Sequence, residues 1–436
     1  MPRERPDRVP ETTKTRPQRP HGLLLLRRVA AILLLLVLAL PVSGVRPAQP
    51  TAVPCLPDLA PGANAAPQAA ERPCWALIGN DSAHLAEEYA AGIRFRIFSL
   101  DWNAYAPAET KIDAGYVAAK RAELAAVQAA GFGVILSLGF HDPPRWIHQR
   151  YANSYYVNQY GDRYVDAADG SDANLVFNSD LRRAASVYID SVFATFGTAF
   201  AAVRLGGGRY GELTYPPAEY GGRTNCYWAF DANALASMPV RNWRPAHAAL
   251  AGEAQRFVNW YLDRLVDFQN WQIDAVRAAG YDGPLMMLYP SWGIRRGDLN
   301  DAIRGDLAGT TPAEQNGEIQ RGYDFVRQIG AIHDPEVIVT TTWLDADPSG
   351  DNQVDPRYWS PVKYLAHLAQ THPLHLSVYG ENTGQGSVQQ LALSADQTVH
   401  YGLIGMAWLN ERELFSHHYA TLDDFRRVIA AYSPHP

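Results

Sequence analysis

From residue 74 onward, the chain alternates short apolar runs with longer stretches in which apolar residues recur at helical spacing. The apolar runs cover residues 75–81, 95–102, 133–142, 202–212, 284–293, 336–345, 375–384 and 402–411. Because these runs are continuous rather than alternating, they predict parallel strands that are buried on both faces. Helical spacing over 113–130 and 253–279, each followed by a glycine, predicts helices between the strands. Eight such units predict an α/β fold, a (β/α)₈ TIM barrel over residues 74–436.

The first 73 residues differ in composition and predict three segments ahead of the barrel. Residues 1–28 are rich in Arg and Pro and predict a disordered basic region. Residues 29–44 are apolar behind a positive flank and end in small residues, which predicts either a signal peptide or a retained membrane anchor. Residues 45–73 are rich in Pro and Ala and predict a linker or arm. Either alternative for 29–44 places the barrel outside the cytoplasm, secreted or anchored.

Composition narrows the possible functions. The net charge of −7 gives no indication of the basic surface that nucleic-acid binding requires. Aromatic residues make up 11% of the chain, which suits the binding of sugar rings and equally suits a large core. No Cys/His cluster has zinc spacing, and residues 345–351 have the oxygen spacing of a calcium loop but Pro356 where its last ligand should stand. We therefore expect no metal and no cofactor.

The chain has three cysteines: Cys55, Cys74 and Cys226. In an oxidising compartment one pair could form a disulfide and leave one thiol over. A Cys55–Cys74 bond would tie the arm to the edge of the barrel. Sequence alone leaves the connectivity open.

Two glutamates end the fourth and seventh predicted strands, Glu212 and Glu381. In a barrel the C-terminal ends of all strands meet on one face, where active sites form, and strands four and seven lie nearly opposite one another. Hydrolysis of a glycoside needs two carboxyl groups, one to protonate the leaving oxygen and one to attack the anomeric carbon or activate water. The pair therefore predicts a glycoside hydrolase.

Short motifs on the predicted strands resemble two families of TIM-barrel glycosidases. Residues 97–109 (IFSLDWNAYAPAE), 141–146 (HDPPRW), 158–163 (NQYGDR) and 178–179 (NS) are similar to family 42 β-galactosidase-like barrels. Residues 211–216 (GELTYP) and 380–382 (GEN) resemble β-amylase, family 14. Most of this clan has Asn before the first glutamate, whereas this chain has Gly211, which favours the β-amylase branch locally. The resemblance implies that Glu212 is the acid or acid/base, and that Glu381 is the nucleophile or base.

Other residues at the strand ends are predicted to bind substrate. They are Asp101, Trp102, His141, Asp142, Arg209, Tyr210, Tyr289, Trp292, Trp343, Tyr379, Asn382 and Trp408. The acidic residues and His141 could bind sugar hydroxyls or cap loops. The aromatic rings could stack on sugars or pack the rim. Arg209 and Asn382 could tune the two carboxyl groups, whereas Glu411 is expected to be solvated.

Several alternatives remain open at this stage. A β-galactosidase-like hydrolase of oligo- or polysaccharides is favoured over an inverting β-amylase-like enzyme, and the anomeric outcome is expected to be retention. A non-catalytic extracytoplasmic barrel that binds glycans, or a membrane-anchored scaffold, would keep the fold without the chemistry. The glutamate pair argues against both.

Overall fold

A computed structural model describes residues 73–166, 172–250, 252–384, 386–416 and 419–432 of the chain. Within these ranges, parallel strands close into one barrel in sequence order. The strands are β1 (Cys74–Ile78), β2 (Phe95–Ser99), β3 (Gly133–Ser137), β4 (Ala202–Leu205), β5 (Leu285–Tyr289), β6 (Val337–Thr341), β7 (Val378–Glu381) and β8 (Gly405–Leu409). Each of the eight predicted runs overlaps one strand, so the predicted (β/α)₈ barrel is confirmed.

Helices connect successive strands around the outside of the barrel. They are α1 (Leu85–Ala90), α2 (Trp102–Tyr105), α3 (Ala114–Ala129), α4 (Arg145–Arg150), α5 (Ser179–Phe196), α6 (Ala232–Ser237), α7 (Glu253–Ala278), α8 (Asp298–Arg304), α9 (Pro312–Gln315), α10 (Phe325–Gly330), α11 (Pro361–Thr371), α12 (Val388–His400) and α13 (Leu422–Tyr432). The predicted helices over 113–130 and 253–279 correspond to α3 and α7. The Asp113 carboxylate caps α3 by accepting from the backbone N–H of Tyr116 at 2.8 Å.

Two hydrophobic layers lie on either side of the strands. The barrel interior is filled by side chains from alternate strand positions, including Ala76, Ile97, Ile135, Ala202, Met286, Leu288, Ile338, Tyr379 and Ala407. The intervening positions belong to a larger cluster outside the barrel, which contains Val203 from β4 and Leu265 from α7. Neighbouring residues of one strand therefore occupy different layers, as the two-residue period of a strand requires.

A buried ion cluster joins β2, α1 and the segment after β8. Arg96 on β2 is 2% exposed; it donates to Glu88 on α1 and contacts Glu411 at 2.9 Å. The expectation that Glu411 is solvated was wrong, because this side chain also accepts from the backbone N–H of Asp81 at 3.0 Å and is buried. Burial raises the pKa of Glu88 to about 7, and the charge of Arg96 opposes that rise.

We expect Arg96→Met to lower the free energy of unfolding by about 3–5 kcal/mol, because the change leaves two buried carboxylates without their cation. Denaturant unfolding at pH 8, where the carboxylates are most strongly driven to ionise, is the measurement. Arg426→Met is the control: its partner Asp423 and Arg426 itself are 75% and 51% exposed, and such surface pairs contribute about 1 kcal/mol or less. Equal losses for the two variants would show that the cluster does not stabilise the barrel.

The predicted segments 1–28 and 29–44, and all but the last residue of 45–73, lie outside the described residues. In the part of the chain that is described, no helix is both long enough and apolar enough to cross a membrane. Cys74, at the start of β1, is disulfide-bonded. Cys226 carries a free, buried thiol. Cys55 lies outside the described residues.

Candidate active site

Glu212 is held in place by a glycine-rich loop after β4. The sequence predicts that β4 continues to residue 212, but the strand ends at Leu205. A short loop that contains a single 3₁₀ turn then leads to Glu212. A Cβ atom on Gly206 would lie 2.1 Å from the carbonyl oxygen of Gly211, and one on Gly208 would lie 2.5 Å from the carbonyl oxygen of Thr214. Only glycine allows the loop to fold back so closely on itself.

Backbone hydrogen bonds fix this loop to the barrel. The N–H of Gly208 donates to the carbonyl of Glu212 at 2.8 Å. The N–H of Leu213 donates to the carbonyl of Leu288 on β5 at 3.0 Å. Glu212 is thereby returned to the C-terminal end of the barrel, where the sequence predicts it.

The carboxyl group of Glu212 accepts a hydrogen bond from a neutral donor. The hydroxyl of Thr342, directly after β6, donates to its Oε1 atom at 2.6 Å. Burial raises the pKa of Glu212 to about 7; Thr342 and the nearby charge of Arg321 lower it, and Glu381 raises it further. A carboxyl group with this pKa retains a proton near neutral pH, which a general acid requires.

Glu381 has a charged partner instead. It is the last residue of β7, and Arg204 on β4 donates to its Oε2 atom at 2.5 Å. Their side chains are only 12% and 10% exposed. Burial raises the pKa of Glu381, and Arg204 opposes that rise. Because the charge of Glu381 acts on Glu212, the two carboxyl groups share one electrostatic site.

Arg204 and Thr342 were not predicted as site residues. Arg204 gives a signal in the sequence, since a charged side chain stands in an otherwise apolar strand and a buried charge needs a partner. Thr342 gives no comparable signal, because threonine is common in strands.

The polar residues after β2 and β3 lie partly at the site. The Nε2 atom of His141 lies 3.3 Å from the Oδ2 atom of Asp142, and a Cβ atom on Gly211, in the loop that holds Glu212, would lie 3.6 Å from the His141 ring. Asp101 is instead at the start of α2, where its backbone N–H donates to the hydroxyl of Tyr116 at 2.7 Å. The structure therefore places the His141 ring beside the loop that holds Glu212, and it gives Asp101 the N-cap position of α2.

Neither residue predicted to tune the carboxyl groups contacts them. Arg209 pairs with Asp166 at 3.1 Å and lies over the ring of Tyr210, which is 64% exposed. The amide of Asn382 bridges to the backbone of Leu409, donating to its carbonyl at 2.7 Å and accepting from its N–H at 2.6 Å. Asn382 thus ties β7 to the end of β8, and Arg204 takes the predicted charge role.

Four of the predicted sugar-binding aromatic residues are at most 1% exposed: Trp102, Tyr289, Tyr379 and Trp408. The ring of Trp102 stacks on Tyr188 at 5.1 Å, and the hydroxyl of Tyr289 donates to Gln269 of α7 at 2.8 Å. Their ring faces are used in packing, so the prediction that they stack on a sugar is corrected. Trp292 and Trp343, after β5 and β6, are half-buried and keep accessible surface.

A buried carboxylate holds the turn that presents Trp292. Glu318 is 5% exposed and accepts from the hydroxyl of Ser291 at 2.6 Å and from the backbone N–H of Gly293 at 2.8 Å. Ser291 has a φ of 67°, a conformation that non-glycine residues rarely adopt. Two hydrogen bonds donated to this one carboxylate, by the residues on either side of Trp292, therefore secure a strained turn.

The segment 345–351 forms local turns. Asp345 accepts from the backbone N–H and the hydroxyl of Thr383, both at 2.9 Å, and Asp347 accepts from Ser349. In the described ranges, no group of three or more His, Cys, Asp or Glu side chains is placed to hold a metal ion.

A cavity of about 690 Å³ opens elsewhere, in the loops after β3 and β4. Its walls come mainly from residues 148–155 and 230–232. Neither Glu212 nor Glu381 lines it, so it is separate from the pair.

No protein-family model matches the chain, and no curated protein matches it in sequence. Solved structures match it in fold. The catalytic domain of the β-amylase from Paenibacillus polymyxa has a TM-score of 0.62 and 15% identity, with 83% of this chain and 99% of that domain covered.

Two β-galactosidases, from Bacillus circulans sp. alkalophilus and the Antarctic haloarchaeon Halorubrum lacusprofundi, each have a TM-score of 0.51, with 12% and 11% identity. The matches cover 83% and 84% of this chain but 56% and 58% of those enzymes, so this chain spans little more than half of their length. The likenesses establish that the chain shares its barrel fold with a β-amylase and with β-galactosidases.

Proposed function

We propose that the protein is a glycoside hydrolase in which Glu212 is the general acid and Glu381 is the nucleophile or base. The observation that supports this most is the pair of carboxyl groups in the loop after β4 and at the end of β7, in one electrostatic site but with unlike partners. A neutral donor on one carboxyl group and a bonded cation on the other favour the first as the proton donor and the second as the anion.

The proposed reaction conserves every proton. Glu212 gives its proton to the glycosidic oxygen as the bond from that oxygen to the anomeric carbon breaks. In the retaining form, a Glu381 oxygen bonds to the anomeric carbon; water then displaces it and returns a proton to Glu212. In the inverting form, Glu381 takes a proton from the water that attacks directly.

For the substrate, we propose a β-galactoside-like oligo- or polysaccharide, with an α-glucan as the alternative. The β-galactoside-like substrate is supported by the motifs that resemble family 42. The α-glucan is supported by the β-amylase-like segments around both glutamates. The likeness in fold does not decide between them, since one fold hosts many specificities.

The test is turnover by the full chain of a panel of nitrophenyl glycosides, galacto-oligosaccharides and starch-type glucans. Glu212→Gln is the matched control, because it keeps the shape of the side chain and removes its acidity. Release of sugar from galacto-oligosaccharides or glucans by the parent that is lost in this variant supports the proposal. A parent that binds a glycan but turns over no member of the panel would favour the non-catalytic barrel.

We further propose that the barrel acts outside the cytoplasm. The support is the apolar segment 29–44 behind a positive flank and the disulfide-bonded state of Cys74, since disulfides persist in oxidising compartments. Cell fractionation of the full chain, compared with a chain that starts after residue 44, is the test. Equal distribution of the two between cytoplasm and exterior would contradict export.

Trp292→Ala is expected to raise KM by about tenfold while changing kcat less, because the side chain would contact the sugar in ground and transition states alike. Trp271→Ala is the control, a half-buried tryptophan on the outer helix α7 that stacks on Phe268. Steady-state kinetics on the best panel substrate is the measurement. An unchanged KM for Trp292→Ala would remove this residue from the binding surface.

A further inference from the structure

We infer that Arg204 is a positioning residue that holds Glu381 by one oxygen and makes it the charged member of the pair. The inference rests on the proposed function. It adds the reason why Glu381 is the charged group and Glu212 the proton donor. It comes from the placement of one buried cation between strands on opposite sides of the barrel mouth.

The direction of the Arg204 side chain follows from the period of β4. Ala202 points into the barrel interior and Val203 belongs to the outer layer, so Arg204 points inward one step nearer the mouth. On β7, Tyr379 points inward and Glu381 is the next inward residue. The two side chains therefore meet above the apolar filling of the barrel.

The contact engages one carboxylate oxygen. Arg204 donates to Oε2 at 2.5 Å, and in the described residues Oε1 accepts no hydrogen bond from the protein. A guanidinium stays charged at any working pH and holds a carboxylate in a fixed direction. Oε1 is then the oxygen left to react with the anomeric carbon or with water.

Charge balance decides which carboxyl group holds the proton. The groups that act on the pair are the cations Arg204 and Arg321, the hydroxyl of Thr342, and the buried phenols Tyr379 and Tyr323. Burial raises the pKa of both phenols, so they remain neutral. Arg321 acts on Glu212 from a distance, whereas Arg204 bonds directly to Glu381. The proton therefore rests on Glu212, and the charge on Glu381.

The test replaces Arg204 in two ways. Arg204→Met removes the positive charge. Arg204→Lys keeps the charge but replaces the planar guanidinium group with an ammonium group. Arg277→Met is the matched control, because Arg277 forms a partly buried pair with Asp334 at 2.7 Å, between α7 and the residues before β6. Each change is made in the parent for kinetics and in the Glu212→Gln background for titration.

The first readout does not depend on activity. Carbon-13 NMR of labelled glutamate follows the titration of Glu381 in the Glu212→Gln background. We expect its pKa to rise by at least about one unit in Arg204→Met, because the bonded cation that favours the charged form is gone. It should stay near the parent value in Arg204→Lys and in Arg277→Met.

The second readout is the pH profile of kcat/KM. Since Glu381 must be deprotonated to act, the acidic limb should move to higher pH in Arg204→Met, with kcat falling more than KM rises. Arg204→Lys should leave the acidic limb of the profile unchanged. Its kcat should fall roughly tenfold, because lysine keeps the charge but orients the carboxylate of Glu381 less well.

Unchanged NMR titration and an unchanged acidic limb in Arg204→Met would overturn the inference. If that variant does not fold, Arg204→Lys decides: its titration is expected to stay near the parent value, so a parental kcat there would show that the planar guanidinium does not position Glu381. A parent without glycosidase activity would defeat the proposed function, while the NMR titration would still test the effect of Arg204 on Glu381.

Discussion

Glu212→Gln is expected to lower kcat/KM by about 10²- to 10⁴-fold on glycosides with poor leaving groups, because the amide cannot give a proton to the departing oxygen. The loss in kcat/KM should be much smaller on nitrophenyl glycosides, whose leaving group departs without protonation. Comparison of kcat/KM on the two substrate classes is the measurement, because in the retaining form kcat also includes the second step, in which Glu212 takes a proton from water. Equal losses on both would indicate a damaged site rather than a missing acid.

The pH profile provides a second check on the same residue. Burial raises the pKa of Glu212 to about 7, so a reaction that needs its proton should lose rate as the pH rises through about 7. In Glu212→Gln this alkaline limb should be absent.

Stability provides the control for folding. A raised pKa in the folded state means that the folded protein holds the Glu212 proton more tightly than the unfolded chain does, so this group's contribution to stability falls as the pH rises from about 4.5 towards about 7. Glu212→Gln should therefore gain stability relative to the parent over that range. Loss of stability relative to the parent across the range would show that the glutamine disturbs the fold.

The barrel could be predicted from the sequence because parallel strands buried on both faces leave continuous apolar runs. The position of the two glutamates at the mouth of the barrel could be predicted because the C-terminal ends of all strands in such a barrel meet there. Glu381 lies there as the last residue of β7. Glu212 lies at the predicted end of the barrel, although a glycine-rich loop stands where the sequence predicts the last part of β4.

The aromatic residues were harder to place, because their direction depends on the parity of the strand. Leu288 points into the barrel, so Tyr289 points out towards α7. Ala407 points inward, so Trp408 packs in the outer layer. A run that is apolar on both faces carries no alternation from which this parity could be derived.

Ion pairs between residues far apart in the chain could not be predicted from the sequence either. Glu411 is buried because it meets Arg96, which lies 315 positions earlier in the chain. Arg204 and Glu381 are 177 positions apart. The local sequence around these residues does not reveal either pairing, and only the closed barrel brings the partners together.

Removing the carboxylate of Glu381 is expected to have the largest effect of all. Glu381→Ala should lower kcat by about 10⁴-fold or more, roughly 5 kcal/mol of lost transition-state stabilisation, on every leaving group. Unlike Glu212→Gln, it should not spare nitrophenyl glycosides, since the missing group attacks the anomeric carbon or activates water. Activity within tenfold of the parent would exclude Glu381 from the chemistry.

The anomer released first distinguishes the two roles of Glu381, and we propose retention. A nucleophile must reach the anomeric carbon, which sets the carboxyl groups about 5–5.5 Å apart, whereas a base must leave room for water at about 6.5–9.5 Å. The motifs at 97–109, 141–146 and 158–163 resemble a retaining family and outnumber the β-amylase-like segments around the two glutamates. Proton NMR during the first minutes of hydrolysis should show sugar of the same anomeric configuration as the substrate. The opposite anomer would make Glu381 a base, with Arg204 keeping it charged to take a proton from water rather than to form a bond to carbon.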